Sequence, residues 1–369
     1  MTPYPFSQNQ QAYVPPRPIK VGVLGATGAV GQRFVQLLEG HPWFQVTALG
    51  ASGRAVGKTY GAASGWRLSA EVPAYARDMV MVEGKPGPDW DCDVIFTSLP
   101  AEIAGEIEEE YAAAGYKVFS NSRNHRYDPD VPLMIPEINP DHSAVLAHQQ
   151  KVRGWDKGFI VTNPNCTTIH LALALKPLQD AFGLKKVMVT TMQAVSGAGY
   201  PGVPSLDIID NVMPHNYDEE QKVESEPLKI MGRYDRENQA FVDADFVISA
   251  TCTRVAVREG HTESASVELG RAATLEEVAT AFTEFEAEPQ RLLLPTAPRH
   301  PVLLRTEQNR PQVFLDREGE GTMATTVGRL QKCKILDYKF LLVGHNTIRG
   351  AAGASILNAE LLAAQGLIV

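Results

Sequence analysis

Gly158-Phe-Ile-Val-Thr-Asn-Pro-Asn-Cys166-Thr-Thr-Ile-His-Leu-Ala-Leu-Ala-Leu-Lys-Pro177 joins a short apolar run, a Pro-bearing turn and a helical repeat. The pattern predicts a strand over Phe159–Thr162 and a helix whose first residues are Cys166, Thr167 and Thr168. A thiol on the first turn of a helix meets unpaired backbone N–H groups and the positive end of the macrodipole, so its pKa is expected to fall. The same N–H groups could hold the oxyanion formed when the sulfur attacks a carbonyl. An arbitrary cysteine is more often just a small buried residue. Here the Asn-Pro-Asn turn and the helix start bring the two readings level, and the rest of the chain decides between them.

Upstream, Ile19-Lys-Val-Gly-Val-Leu-Gly25-Ala-Thr-Gly28-Ala-Val-Gly31-Gln-Arg-Phe reads as a buried strand, a glycine turn and an amphipathic helix. This is the first strand and helix of a dinucleotide-binding fold. Its glycines are spaced GxxGxxG, so a pyrophosphate would be approached through Thr27, Gly28, Ala29 and Val30 at a helix N-terminus. The second strand, Gln45 to Leu49, runs into Gly50-Ala-Ser52-Gly-Arg54, where an NAD site would carry an acid for the ribose hydroxyl. Ser52 and Arg54 suit a 2′-phosphate instead, which favours NADP over the alternative of a solvated loop arginine. Residues 55–89 read as a long loop or small hairpin region. The strand Asp93 to Ser98 then leads through Leu99, grouped with the cofactor contacts, into a helix over Ala101–Ala114. A further strand, Lys117 to Ser120, ends in Asn121-Ser-Arg123-Asn-His-Arg126. Alternating strands and helices imply a Rossmann-type doubly wound parallel sheet with ligands at the carboxyl ends of its strands. Arg123 or Arg126 would there clamp a phosphate or carboxylate.

Past Cys166 the strands lengthen: Lys186 to Ala194, Phe246 to Ala250, Arg254 to Val257, Ser264 to Leu269 and Met323 to Leu330, with a helix over Leu275–Glu286. A second α+β domain with a mainly antiparallel sheet is expected. The last segment opens on an N-cap-like Asn346 and carries an apolar stripe suited to packing on the first domain. The expected organisation is a disordered Pro/Gln tail over 1–18, a cofactor domain over 19–165 completed by 346–369, and a catalytic and dimerisation domain over 166–345.

Composition narrows the functional classes. With 369 residues the chain is long enough for two cores. The balance of 34 Lys+Arg against 43 Asp+Glu, a net −9, argues against binding nucleic acid or an anionic membrane by bulk charge. Four cysteines without CxxC spacing, and nine histidines without HxH or HExxH, indicate neither a disulfide framework nor a metal site. A reducing compartment, the cytoplasm, is expected. Met1 to Pro18 lacks the basic start and apolar core of a signal peptide, and no run approaches a membrane span.

Two further motifs, Gln193-Ala-Val-Ser-Gly-Ala-Gly-Tyr-Pro-Gly-Val-Pro-Ser-Leu-Asp207 and Arg254-Val-Ala-Val-Arg-Glu-Gly-His261, complete a pattern with the Gly25 turn and Asn-Pro-Asn-Cys166. Together they resemble the aspartate-semialdehyde dehydrogenase family, in its archaeal and fungal branch, from about Lys20 to the C-terminus. The resemblance implies Cys166 as nucleophile, His261 as acid/base and Gln193 as the group orienting the acyl carbon. It further implies Arg254 on the substrate α-carboxylate, Glu219 and Lys222 on the amino group and phosphate, Arg126 on the phosphate, and Ser196, Gly197 and Asn346 at the nicotinamide. The implied reaction is NADPH-dependent reduction of L-aspartyl 4-phosphate to L-aspartate 4-semialdehyde with release of phosphate. That step leads toward lysine, threonine and methionine, and the family suggests a homodimer or homotetramer. A related malonyl-CoA reductase and, from another class, a non-catalytic NADP-binding sensor are the alternatives.

Overall fold

The computed structural model describes residues 13–214 and 217–368. A six-stranded parallel sheet runs in the order β3-β2-β1-β4-β5-β6, built from β1 (Ile19–Leu24), β2 (Phe44–Ala51), β3 (Val82–Glu83), β4 (Val94–Thr97), β5 (Lys117–Ser120) and β6 (Phe159–Thr162). Strands β4 and β6 are buried at every residue, as a sheet covered on both faces requires. Helices α1 (Ala29–Leu37) and α2 (Ala101–Ala113) belong to its crossovers. The stretch 55–89 is not a hairpin. It forms two single helical turns, Tyr60–Ala63 and Ala74–Arg77, before β3 joins the sheet edge parallel to β2.

From the end of β6 the chain enters α3 (Cys166–Phe182). A seven-stranded sheet follows, ordered β13-β14-β15-β12-β7-β11-β8, from β7 (Leu184–Gln193), β8 (Val212–Pro214), β11 (Val247–Val255), β12 (His261–Leu269), β13 (Val302–Arg305), β14 (Thr325–Lys332) and β15 (Tyr338–Gly344). Two short strands, β9 (Arg233–Asp235) and β10 (Ala240–Val242), pair separately. The large sheet is mixed and mostly antiparallel: β7/β11 and β13/β14 are its parallel pairs. The two strands expected at 246–250 and 254–257 are one, β11, whose residues alternate between exposed and buried from Val247 to Val255. Threonines on its open face break the apolar run without breaking the strand. Helices α4 (Tyr217–Met231) and α5 (Leu275–Thr283) pack beside this sheet, and α3 contributes Leu171, Leu175 and Leu178 to its core.

The C-terminal helix α6 (Gly353–Ala364) is buried nearly all round rather than on one stripe. Its Ile356, Leu361 and Leu362 share a core with Val21, Val23 and Phe96 of the parallel sheet. Of the expected tail, residues 1–12 lie outside the described residues. Residues 13–18 are held: the Tyr13 ring meets Trp43 edge-on at 5.3 Å, and Arg17 donates to both oxygens of Asp93 at 2.9 and 3.0 Å. Among the described residues no helix is long and apolar enough to cross a membrane.

Candidate active site

The register of the second sheet brings three side chains into one row. Gln193 pairs with Arg254 across β7 and β11, and Met192 with Thr262 across β7 and β12, which sets His261 abreast of Gln193. All three are buried, and the start of α3 meets the row at His261 through Cys166. The Cys166 sulfur stands 3.0 Å from His261 Nε2. On the other side of the ring, the Ala194 backbone N–H donates to His261 Nδ1 at 3.0 Å. The carbonyl of the same residue accepts from Arg254 Nη1 at 2.5 Å. Gly197 keeps this corner open, since a Cβ there would lie 3.2 Å from the His261 ring and 3.3 Å from Arg254 Nη1.

Asn165 is the N-cap of α3, and its Oδ1 accepts from the N–H groups of Thr167 and Thr168 at 2.9 and 3.4 Å. The same side chain donates through Nδ2 to Glu219 at 2.8 Å, and its backbone N–H donates to Glu226 at 2.6 Å. Glu219 also accepts from Gln193 at 3.3 Å and from Lys222 at 3.0 Å. The expected lowering of the thiol pKa is not what this geometry yields. Burial pushes the Cys166 thiol up to about 12 and the nearby Glu219 carboxylate adds to the effect, against weaker opposite pulls from Arg126, the Thr167 N–H and Arg254. Burial outweighs the helix start: the Thr167 N–H still acts on the sulfur, while it and the Thr168 N–H also serve the Asn165 oxygen.

The structure separates the two arginines of the 121–126 loop. Arg126 is buried, donates to Glu226 at 2.8 Å and to the Asn121 carbonyl at 3.1 Å, and acts electrostatically on Cys166. Among the described residues its Nε has no hydrogen-bond partner. Arg123 points outward to a groove of ≈ 850 Å³ shared with Tyr127, Lys222 and Phe246, and approaches Asp218 at 3.9 Å. Lys229 pins the Arg126 loop, donating to the carbonyls of Arg126, Asp128 and Val131 at 2.9, 3.0 and 2.9 Å. Burial brings the Lys229 amine down to about 8. The sequence reading gave no site role to Asn165, Ala194, Glu226 or Lys229. The last two had a signal, because Glu219, Lys222, Glu226 and Lys229 recur on one face of α4. Asn165 had another, as an Asn at a helix start.

The residues at the glycine turn fit a dinucleotide. Gly25 has φ +74 with the Ser98 carbonyl 3.0 Å from where a Cβ would stand, and a Cβ on Gly31 would come within 2.1 Å of the Gly25 oxygen. Helix α1 starts at Gly28 with no side-chain cap and no acid in its first turn, leaving the N–H groups beyond Thr27, at Ala29 and Val30, for an anion. Ser52 and Arg54 are exposed just past the carboxyl end of β2, beside that turn through the Ala26 N–H bond to Gly50. Leu99 is half-buried against the cluster of Leu24 and Trp90. Asn346 does not cap a helix. A π-turn, Ile348–Ala352, intervenes before α6, and the Asn346 side chain donates to Ser196 Oγ and accepts from the Gly260 N–H, both at 2.8 Å. A cavity of ≈ 180 Å³ lies between Ala29 of α1 and Ser196, flanked by Arg67, Tyr200 and Arg258.

Comparison with known proteins agrees with this arrangement. A family model described as semialdehyde dehydrogenase, NAD binding domain, matches residues 20–145, and one described as semialdehyde dehydrogenase, dimerisation domain, matches residues 175–349. An aspartate-semialdehyde dehydrogenase of Archaeoglobus fulgidus is 52% identical over 94% of this chain and 99% of its own length, and one of Methanothermobacter thermautotrophicus is 50% identical over 93% and 99%. The solved aspartate-semialdehyde dehydrogenase with NADP from Candida albicans superposes with TM-score 0.88 at 40% identity, covering 95% of this chain and 100% of that one. A malonyl CoA reductase (NADP) of Metallosphaera sedula is 41% identical over 95% of this chain and 99% of its own length. The chain belongs to the semialdehyde dehydrogenase family, among the aspartate-semialdehyde dehydrogenases.

Proposed function

We propose that this protein reduces L-aspartyl 4-phosphate to L-aspartate 4-semialdehyde with release of phosphate, through a thioester on Cys166, using NADPH. The observation that carries the reading is the 3.0 Å approach of the Cys166 sulfur to His261 Nε2 at the start of a helix ringed by Gln193, Arg254, Glu219 and Arg126. Arg254 holds the substrate α-carboxylate, Glu219 its ammonium, and Lys222 and Arg126 the phosphate. Gln193 steadies the acyl oxygen. The bound dinucleotide supplies hydride to the acyl carbon. Thr27, Gly28, Ala29 and Val30 hold its pyrophosphate, Ser52 and Arg54 its 2′-phosphate, and Leu99, Ser196, Gly197 and Asn346 lie along the rest of it. Around the sulfur, the chain's task is to orient a carboxylate, an ammonium and a carbonyl, and to manage one proton at the Cys166–His261 pair.

The test runs the reaction backwards: aspartate semialdehyde, NADP and phosphate should give NADPH only when all three are present. NADPH formation that ignores phosphate would overturn the reading. The kinship to a malonyl CoA reductase makes a coenzyme A thioester the second substrate to assay, and turnover on malonyl-CoA but not on aspartyl phosphate would install it instead. A protein that binds NADP and turns over neither would be the sensor. The domain boundaries 19–165 and 166–345, with 346–369 returning to the first, are part of this proposal, as are a homodimeric or homotetrameric state and a cytoplasmic location. The dimerisation description of the matched family model supports the oligomer, which light scattering on the purified protein tests.

A further inference from the structure

Strand β11 is flanked unequally on its two sides. β7 runs beside it from Val247 to Arg254, whereas β8 covers only Thr253, Arg254 and Val255 on the other side. Among the described residues, the stretch from Val247 to Cys252 is therefore a sheet edge, and its outward N–H groups need acceptors. Two side chains of α4 supply them. Glu224 Oε1 accepts from the Ala250 N–H at 2.9 Å, and Glu220 Oε1 from the Cys252 N–H at 3.0 Å. The spacings match: four helical residues rise about 6 Å and two strand residues span about 6.6 Å, so carboxylates four apart meet N–H groups two apart. One turn further along α4, Leu228 packs on the core that holds Ile248 and Ala250, and its carbonyl accepts from the Ala244 N–H at 2.9 Å.

A neighbouring face of the same helix serves the site. Glu219 accepts from Asn165, Gln193 and Lys222, and Glu226 from Arg126 and the Asn165 N–H. Burial of Val223 and Ile230 holds α4 down, but apolar contact is non-directional and does not fix the helix along the strand. Charge-assisted bonds to two successive outward N–H groups do. Like charges at i and i+4 repel, a cost that the two donors opposite them offset. We infer that Glu220 and Glu224 are positioning residues: by capping the free edge of β11 they fix α4 lengthwise, and so set Glu219 and Lys222 where the substrate's ammonium and phosphate arrive. The inference deepens the acyl-transfer reading above and rests on it for the roles of Glu219 and Lys222.

Removing both carboxylates takes these acceptors from the edge and frees α4 to move along it. Ala is a better helix former than Glu, so a loss in Glu220→Ala/Glu224→Ala does not come from a weaker helix. Gln keeps an oxygen for each N–H while giving up the charge, so Glu220→Gln/Glu224→Gln separates the hydrogen bonds from electrostatics. Glu219 and Lys222 grip the substrate before and during reaction alike, so their displacement falls on KM more than on kcat. The proposed dinucleotide contacts at Thr27 to Val30, Ser52 and Arg54 belong to the other sheet, which makes the KM for NADP the internal control. The sulfur gives a readout that needs no turnover. The Glu219 carboxylate helps to raise the Cys166 thiol, so its retreat lets that thiol ionise at lower pH.

The test compares the two double variants in the full chain, assayed with aspartate semialdehyde, phosphate and NADP. In the Ala pair the KM for semialdehyde and for phosphate should rise about 10–100-fold, with kcat within about fivefold and the KM for NADP within about twofold of the parent. The Gln pair should stay within about threefold of the parent in every constant. Hydrogen exchange should find the Ala250 and Cys252 amides protected in the parent and the Gln pair, and faster in the Ala pair. Iodoacetamide labelling of Cys166 should move to lower pH in the Ala pair alone. A folded Ala pair with parental KM values, equal losses in both pairs, or a KM for NADP that rises with the others would overturn the inference. If the Ala pair does not fold, Glu220→Ala and Glu224→Ala singly carry the same comparison, with KM rises of about 3–10-fold. A parent that turns over neither acyl donor would overturn the acyl-transfer reading instead. Exchange and labelling would still decide whether the two carboxylates place Glu219, and no change in either would overturn that.

Discussion

Gly350→Ala tests whether the C-terminal π-turn sets the position of the sulfur. A Cβ built on Gly350 stands 2.8 Å from the Cys166 Cβ and 3.2 Å from its Cα. Carbon atoms in ordinary contact sit about 3.5–4.0 Å apart, so the turn and the start of α3 must separate by roughly 0.7 Å or more. Neither side yields easily, because Gly350 lies in the π-turn Ile348–Ala352, all of it buried, and Cys166 opens a helix capped by Asn165. The shift falls on the atom whose 3.0 Å approach to His261 defines the site. A misplacement of about 1 Å costs on the order of 10²-fold in rate, so a drop in kcat of about 10–100-fold is expected. Overpacking should also lower stability by about 1–3 kcal/mol. Steady-state kinetics, thermal melts and NADPH binding by fluorescence separate the effects, with the cofactor Kd expected to stay within about threefold, or ~0.7 kcal/mol. A folded Gly350→Ala protein with kcat within about twofold of the parent would refute the claim that this glycine holds the nucleophile in register.

Glu226→Gln leaves the buried Arg126 without its counter-charge, and urea denaturation should show a loss of about 3–5 kcal/mol. The double variant Arg126→Met/Glu226→Leu should recover most of that stability while staying inactive. Glu108 accepts from Ser120 and Thr97 on the parallel sheet, and burial raises its carboxyl from 4.5 to about 7. The folded state then holds a proton that the unfolded state has lost. The stability Glu108 contributes, about 3 kcal/mol, is full below about pH 4.5 and gone as pH rises through 7. Stability profiles of the parent and Glu108→Gln proteins should therefore differ in slope across that window and run parallel above it. Arg54→Ala should raise the NADPH KM about 10–100-fold with little change for NADH, the loss of a charge-assisted contact worth about 1.5–3 kcal/mol. Equal effects on both cofactors would remove Arg54 from the 2′-phosphate.

The strand, glycine turn and helix at 19–37, the parallel sheet and the strand that delivers Cys166 were legible because buried parallel strands and glycine-bounded helices write themselves in apolar runs. Strand β11 was split because Thr251 and Thr253 lie on its more open face, and an alternation reading carried through Cys252 would have joined it. The family resemblance singled out Arg126, Gln193, Arg254 and His261, which the structure brings toward Cys166, but it did not name their partners. Glu226 and Lys229 sit on the same helical face as Glu219, yet nothing local says which loop that face will meet. The hydrogen bond from Ala194 to His261 is made by the backbone, which residue types do not reveal. The thiol pKa depends on how far the start of α3 is shut away from water, and on the Glu219 carboxylate that α4 brings to the sulfur. Periodicity reports neither. The role of Tyr13 and Arg17 in tethering the N-terminal segment also depends on partners that lie far away in sequence, at Trp43 and Asp93.

The most direct measurement is intact-protein and peptide mass spectrometry after mixing the enzyme with aspartate semialdehyde and NADP without phosphate, followed by acid quenching. Expected is a single aspartyl adduct, labile to hydroxylamine as a thioester is, on the peptide containing Cys166, which disappears when phosphate is added. Turnover with no adduct at Cys166, or an adduct on Cys92, Cys252 or Cys333 instead, would contradict catalysis through that sulfur.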